Sequence, residues 1–134
     1  MTPEEARNAD LVQTFFAALS AGDLEQVRGM LHEQVTWTVM AGSIPGAGEK
    51  KGRRAVIDEF LAPVRSMFEN GDPKVTAQCV IASGAMVAAE ARGQGRMKNG
   101  KAYDNRYAWF IEIRDGKIFA LREYLDSHHV STLM

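Results

Sequence analysis

The two apolar runs on either side of Asp115-Gly116 constrain this chain more than any other feature. An aspartate–glycine pair between alternating runs marks a tight hairpin. The stretch from Tyr103 to Asp126 supplies both runs. Alternation gives each strand one face to bury. On the first strand Asn105, Tyr107, Trp109, Ile111 and Ile113 share a face, and Arg106, Ala108, Phe110, Glu112 and Arg114 share the other. On the second, Phe119, Leu121, Glu123 and Leu125 fall together. An amide, a phenol and a carboxylate therefore stand among apolar neighbours, where each costs free energy unless it finds a partner.

The rest of the chain supplies the context for that hairpin. Thr2-Pro3-Glu4-Glu5 is a capping box with proline at the first helical position, and Leu11, Val12, Phe15, Phe16 and Leu19 follow at helical spacing. Gly22 stops this helix, and Asp23 caps a second one to about His32. Val35 to Met40 reads as a strand with Val35, Trp37 and Val39 on one face, followed by a loop from Ala41 to Gly52. A third helix is predicted from about Arg53 to Phe68, kinked or split by Pro63. Four strands follow, at about Lys74–Ala82, Met86–Met97, Ala102–Arg114 and Lys117–Asp126, with turns at Ser83-Gly84, Asn99-Gly100 and Asp115-Gly116. Helices first and an antiparallel meander after them define an α+β domain.

At 134 residues the chain fits one domain with a real core, residues 1–134. Hydrophobic residues make up 46% and the net charge is -1, so no basic field draws in nucleic acid and no membrane partner is expected. The one cysteine, Cys79, excludes an internal disulfide and a multi-cysteine zinc site. No apolar run is long enough to span a bilayer and the N-terminus is acidic, which together favour a cytoplasmic location. His128-His129 lacks further ligands at metal spacing, so exposed tail histidines are expected and no metal. Lys50, Lys51, Arg53 and Arg54 read as a solvated basic loop, and Gly93 and Gly95 as points where the sheet bends.

Tyr103-Asp104-Asn105-Arg106-Tyr107, Asp115-Gly116-Lys117-Ile118 and Arg122-Glu123-Tyr124-Leu125-Asp126, behind three helices, resemble the nuclear transport factor 2-like superfamily. Within it the chain is most similar to the SnoaL-like and ketosteroid-isomerase-related group. The resemblance covers essentially the whole chain. It implies a cone: three N-terminal helices packed on a strongly bent antiparallel sheet that encloses a pocket. It also implies homodimers, and a membership that includes isomerases, cyclases, dehydratases, epoxide hydrolases and non-catalytic binding modules. Fold alone does not choose among these.

Strand parity puts Ala88, Glu90, Arg92 and Gln94 on one face of the second meander strand. If that face is concave, Glu90 and Arg92 join Glu123 as a catalytic set, with Trp37, Asn105, Tyr107 and Trp109 holding the substrate. Two carboxylates flanking a guanidinium can divide the roles of acid and base. The expected function is then cofactor-free acid–base chemistry on a hydrophobic small molecule: isomerisation, cyclisation, dehydration or water addition. The alternative is a ligand-binding or dimerisation module without chemistry, in which Glu90, Arg92 and Glu123 form a structural ion network or a solvated sheet face. Limonene-epoxide-hydrolase-like chemistry is less favoured. An ungapped reading places Glu90 where that branch has arginine, Arg92 and Glu123 where it has aspartates, and Trp37 and Val39 where a tyrosine and an asparagine hold water.

The face carrying Arg106, Ala108, Phe110 and Glu112 is the expected dimer surface. Light scattering at micromolar concentration should report twice the chain mass, and a monomer across a wide concentration range would remove this expectation.

Overall fold

Thr2 begins the first helix by closing a reciprocal pair: its hydroxyl accepts from the Glu5 amide and the Glu5 carboxylate accepts from its own amide. The computed structural model describes residues 1–134. Helix α1 spans Pro3–Ala21 and ends on Gly22, whose φ of 73° only glycine adopts without strain. The second Glu5 oxygen accepts from the Gly84 amide, and buried Asn8 donates to the Gly84 carbonyl. The start of α1 is thereby tied to a distant hairpin. Helix α2 (Leu24–Met30) is capped by Asp23 and stops two residues before the predicted end, because Leu31 already enters strand β1 (Leu31–Val39).

The predicted loop after β1 contains a short edge strand, β2 (Gly48–Lys51), which pairs antiparallel with β1. One glycine followed by three charged residues offers no apolar face to signal it. The third predicted helix exists as three pieces. Helix α3 (Gly52–Val56) passes into a π-turn, Ile57–Leu61, in which the Ala62 amide donates to the Ile57 carbonyl five residues back. Helix α4 (Ala62–Ser66) then carries Pro63 in its first turn, directly after the π-turn that breaks the regular hydrogen-bond ladder.

Strands β3 (Lys74–Ser83), β4 (Met86–Arg96), β5 (Ala102–Arg114) and β6 (Lys117–Leu125) form the antiparallel meander, and α5 (Ser127–Ser131) is capped by Asp126. The strands make one curled, unclosed sheet in the order β2-β1-β6-β5-β4-β3. Its pairing is not wholly antiparallel, since β1 runs parallel to β6. At the last hairpin Asp115 (φ 55°) and Gly116 (φ 70°) both take the left-handed conformation that a two-residue turn requires. A bulge between Glu112 and Ile113 turns Ile118 inward and removes Phe119 from the Leu121, Glu123 and Leu125 face. Phe119 packs instead against His32 and under the Arg114 guanidinium.

The core lies between α1 and the concave face of the sheet. Phe15 and Phe16 meet the rings of Trp37 and Trp109 edge-on or tilted, and Val12, Ile111 and Leu121 complete the layer. Register decides what else faces inward. Ala89 pairs with Trp109, Ala91 with Tyr107 and Gly93 with Asn105, so small residues of β4 lie opposite the large ones of β5. Glu90 and Arg92 pair with Ala108 and Arg106 on the convex face. The parity that placed Glu90 and Arg92 in the pocket is thus corrected. The alternative of charges alternating on a solvated sheet face describes them.

Gly93 is small because two tyrosines occupy its space. A Cβ there would lie 3.0 Å from Tyr107 Cε2, 3.3 Å from its hydroxyl and 3.4 Å from Tyr103 Cε2. Gly95 likewise makes room for the Asp72 side chain, which accepts from the Arg96 amide. Close approach, not sheet bending, is what these glycines permit. Gly93→Val should therefore lower stability by about 1–3 kcal/mol despite valine's better strand propensity. Urea unfolding reads this, and an unchanged midpoint would show that the tyrosines yield freely.

Candidate active site

Three adjacent strands and the wall opposite them build the site. Glu123 on β6 pairs with Trp109 on one side and Val39 on the other, so its side chain enters the cone between two large apolar neighbours. Two residues before Val39, Trp37 aims its indole at the same point and donates from Nε1 to Glu123 Oε1 at 2.9 Å. Glu123 is only 7% exposed and forms no salt bridge. Burial pushes its carboxyl up from 4.5 to about 7, against the smaller opposing effects of the Trp37 hydrogen bond and the Lys50 ammonium. At neutral pH both its acid and its base forms are populated, which suits a group that must both take and return a proton.

Beside it, β5 presents Tyr103, Tyr107 and Trp109 with the alternation of one strand face. The Tyr103 and Tyr107 hydroxyls hydrogen-bond to each other. Burial raises Tyr103 to about 12 and pushes Tyr107 well above its ordinary value, so both phenols keep their protons. Two hydroxyl protons and one internal bond leave one O–H of the pair for another acceptor. Behind them Asn105 is fully buried. Its amide donates to the Tyr103 hydroxyl at 3.1 Å, and its carbonyl accepts from the Arg106 and Asp126 amides. Asn105 sets Tyr103 and does not line the cavity. The Trp109 indole N–H is buried with no acceptor.

The cavity these groups face has a volume of about 170 Å³. Of its 23 lining residues 18 are hydrophobic, and Glu123 and Arg65 are the only charged ones. Phe60, Leu61 and Val64, from the π-turn and α4, form the wall opposite the sheet. Val130 and Leu133 close another side. That closure depends on the C-terminal segment: Asn99 Nδ2 donates to the Leu133 carbonyl, Lys101 Nζ to the Thr132 carbonyl, and the Asp104 amide to His129 Nε2. His129 is therefore a docking residue for α5 and not a free tail histidine, whereas His128 is exposed. No cluster of three metal-ligating side chains occurs.

The structure brings Trp37, Tyr107, Trp109 and Glu123 together around this space and keeps Glu90 and Arg92 out of it. Glu90 is exposed, and Arg92 forms a two-pronged pair with Asp104, at 2.7 and 2.8 Å, on the convex face. No carboxylate–arginine–carboxylate device exists, and the permuted epoxide-hydrolase pattern goes with it. Tyr103 was missed, although it continues the Asn105, Tyr107, Trp109 parity by one more step. Lys50 was read as solvated. Its ammonium instead sits over the Phe60 ring at 4.5 Å and donates to the Gly46 and Gly48 carbonyls, and burial lowers its pKa.

With this fold and site in place, the chain belongs to the SnoaL-like domain family, whose model matches residues 12–121. No curated protein matches it significantly. Among solved structures it is similar to Bal32a from a soil-derived mobile gene cassette, at 23% identity, with 96% of this chain and 95% of that one covered and a TM-score of 0.83. TerC, co-crystallized with polyporic acid, shares 22% identity over 95% and 97% of the two chains, with a TM-score of 0.82. A protein described as a SnoaL-like polyketide cyclase, from Jannaschia sp. CCS1, shares 19% over 98% and 94%, with a TM-score of 0.84. At these identities the likeness is one of fold. No helix is long and apolar enough to cross a membrane.

The raised Glu123 value has a thermodynamic consequence. Because the folded value lies above the unfolded one, the folded state keeps a proton that the unfolded chain loses between pH 4.5 and about 7. Stability linked to that proton is full below this window and is lost as pH rises through it. Glu123→Gln removes the dependence. Between about pH 4 and pH 8 the variant should therefore gain on wild type by on the order of 3 kcal/mol, at about 1.36 kcal/mol per pH unit. Urea unfolding at both pH values checks this, and a constant difference would place Glu123 among ordinary carboxylates.

Proposed function

We propose that this protein is an enzyme that moves a proton on an apolar, oxygen-bearing small molecule. Glu123 is its one general base and acid. The single observation that carries this reading is a buried carboxyl near pKa 7, outside any salt bridge, beside two protonated phenols in an apolar cavity. Glu123 takes a proton from a carbon next to a carbonyl, and the electron pair moves onto the carbonyl oxygen. The free O–H of the Tyr103–Tyr107 pair donates to that oxygen as charge develops, the moment at which such a donor is worth most. Return of the proton to a different carbon completes an isomerisation. Attack of the enolate on an electrophilic carbon of the same molecule closes a ring. Trp37 holds the carboxylate through one oxygen and leaves the other for the substrate, and the Trp109 ring adds apolar surface to the wall.

A second reading, a binding pocket without chemistry, is favoured by the same Trp37 hydrogen bond, which already gives Glu123 a structural partner. Under either reading we propose a homodimer through the convex face, where Phe110 and Tyr124 stay 39% exposed and pack edge to face.

Exchange of α-hydrogens for deuterium separates the two readings. 2-Tetralone in D2O, followed by NMR, should exchange faster with the protein than without it. Glu123→Gln should cut that acceleration by about 10² or more, and Tyr103→Phe with Tyr107→Phe by about 10². If tetralone quenches the tryptophans yet exchanges at the solution rate, proton transfer is wrong and the binding pocket stands.

A further inference from the structure

Arg65 is the one cation that lines the cavity, and its hydrogen-bonding capacity is mostly unspent. It rises from α4 on the wall opposite the sheet and is half-buried. A guanidinium offers five N–H donors in a rigid fork. Here one contact is made, from Nη2 to the Pro73 carbonyl at a long 3.4 Å. No carboxylate reaches salt-bridge distance, although Arg28, Arg54, Arg92 and Arg114 all have one at the protein surface. Asp72 is the nearest acid in effect. It attracts Arg65 from outside that distance, while its own Oδ2 accepts from the Arg96 amide. Burial lowers the Arg65 pKa, as expected for a cation short of partners.

The guanidinium is nevertheless held in place. Its Nη2 and Nε lie against Gly22, where an added Cβ would meet them at 3.5 and 3.7 Å. Gly22 ends α1, and the negative end of a helix dipole favours a cation there. On the outer side of Arg65 a groove bounded by Glu69, Asp72 and Lys98 opens to solvent. Arg65 thus stands in the wall between that groove and an interior lined by Leu19, Val64, Phe68 and Val75.

We propose that Arg65 anchors a carboxylate of the cavity's ligand, so that the ligand is an apolar acid and not a neutral molecule. The inference rests on the small-molecule pocket of the previous section and specifies its substrate class. A carboxylate matches the guanidinium fork with two parallel hydrogen bonds, and the ring or chain behind it fills the apolar interior. One end of the molecule is then fixed from the helical wall while Glu123 approaches from the sheet.

Calorimetry with 2-naphthoic acid and its neutral isostere 2-naphthamide, at about pH 7.5, tests this. Wild type should bind the acid about tenfold or more tightly than the amide, the worth of a charge-assisted pair. Arg65→Gln should abolish that preference while amide affinity stays within about twofold. Should the glutamine variant fail to fold, Arg65→Lys keeps the charge without the fork and should show a reduced preference. Equal affinities in wild type, or a preference that survives either replacement in full, would overturn the anchoring role and leave the pocket intact. Binding of neither probe would overturn the pocket as well.

Discussion

Ala89 lies opposite Trp109, Ala91 opposite Tyr107 and Gly93 opposite Asn105, and the interior of the cone depends on that alternation of small and large across one strand boundary. Were β4 shifted by one residue, Glu90 and Arg92 would face the interior and the alanines would face water, since side chains alternate strictly between the two faces. The tyrosine rings reach over Gly93 because nothing projects there. Their hydroxyls then meet each other and, through Asn105, the backbone at the start of the C-terminal segment. The chemistry proposed for Glu123 and the seating of α5 both follow from this register.

A carboxylate without a counter-ion is an expensive thing to bury. The fold limits the cost by letting the group stay partly neutral and by giving it the one indole donor it can hold without a charge. Most of the ion pairs lie at the surface, where each contributes little to stability. Glu123 and Arg65 are the two charged side chains that line the cavity, and neither forms a salt bridge. They lie on opposite kinds of wall, one a rigid sheet and the other a broken helix. A ligand that satisfies both would be oriented by the protein without any large rearrangement.

The helix caps, the hairpin at Asp115-Gly116 and the inward face of β5 were all legible, because each rests on a local rule with a period or a turn chemistry behind it. The face of β4 was misread. Its odd positions, Val87, Ala89 and Ala91, are all apolar, and its even ones carry Glu90, Arg92, Gln94 and Arg96. Period-two patterning alone turns the charges outward, where the structure has them. Phe119 was beyond reach, since the bulge that turns it away adds a residue without any glycine or proline to announce it. Lys50 and Arg65 could not be found from the sequence, because both are placed by tertiary packing: one against Phe60, the other against the end of α1.

The π-turn at Ile57–Leu61 holds one residue more than an α-helical turn of the same span, and each residue of a helix is worth about 100° of rotation. Everything after it, Val64 and Arg65 included, owes its direction to that extra residue. Within such a scaffold the helical wall changes phase in whole-residue steps while the sheet that carries Glu123, Tyr103 and Tyr107 stays where it is. Insertion or loss of a single residue there would redirect the guanidinium without touching the carboxyl. The two proposed roles, holding a ligand and moving a proton, are therefore separable by length, not only by side-chain identity.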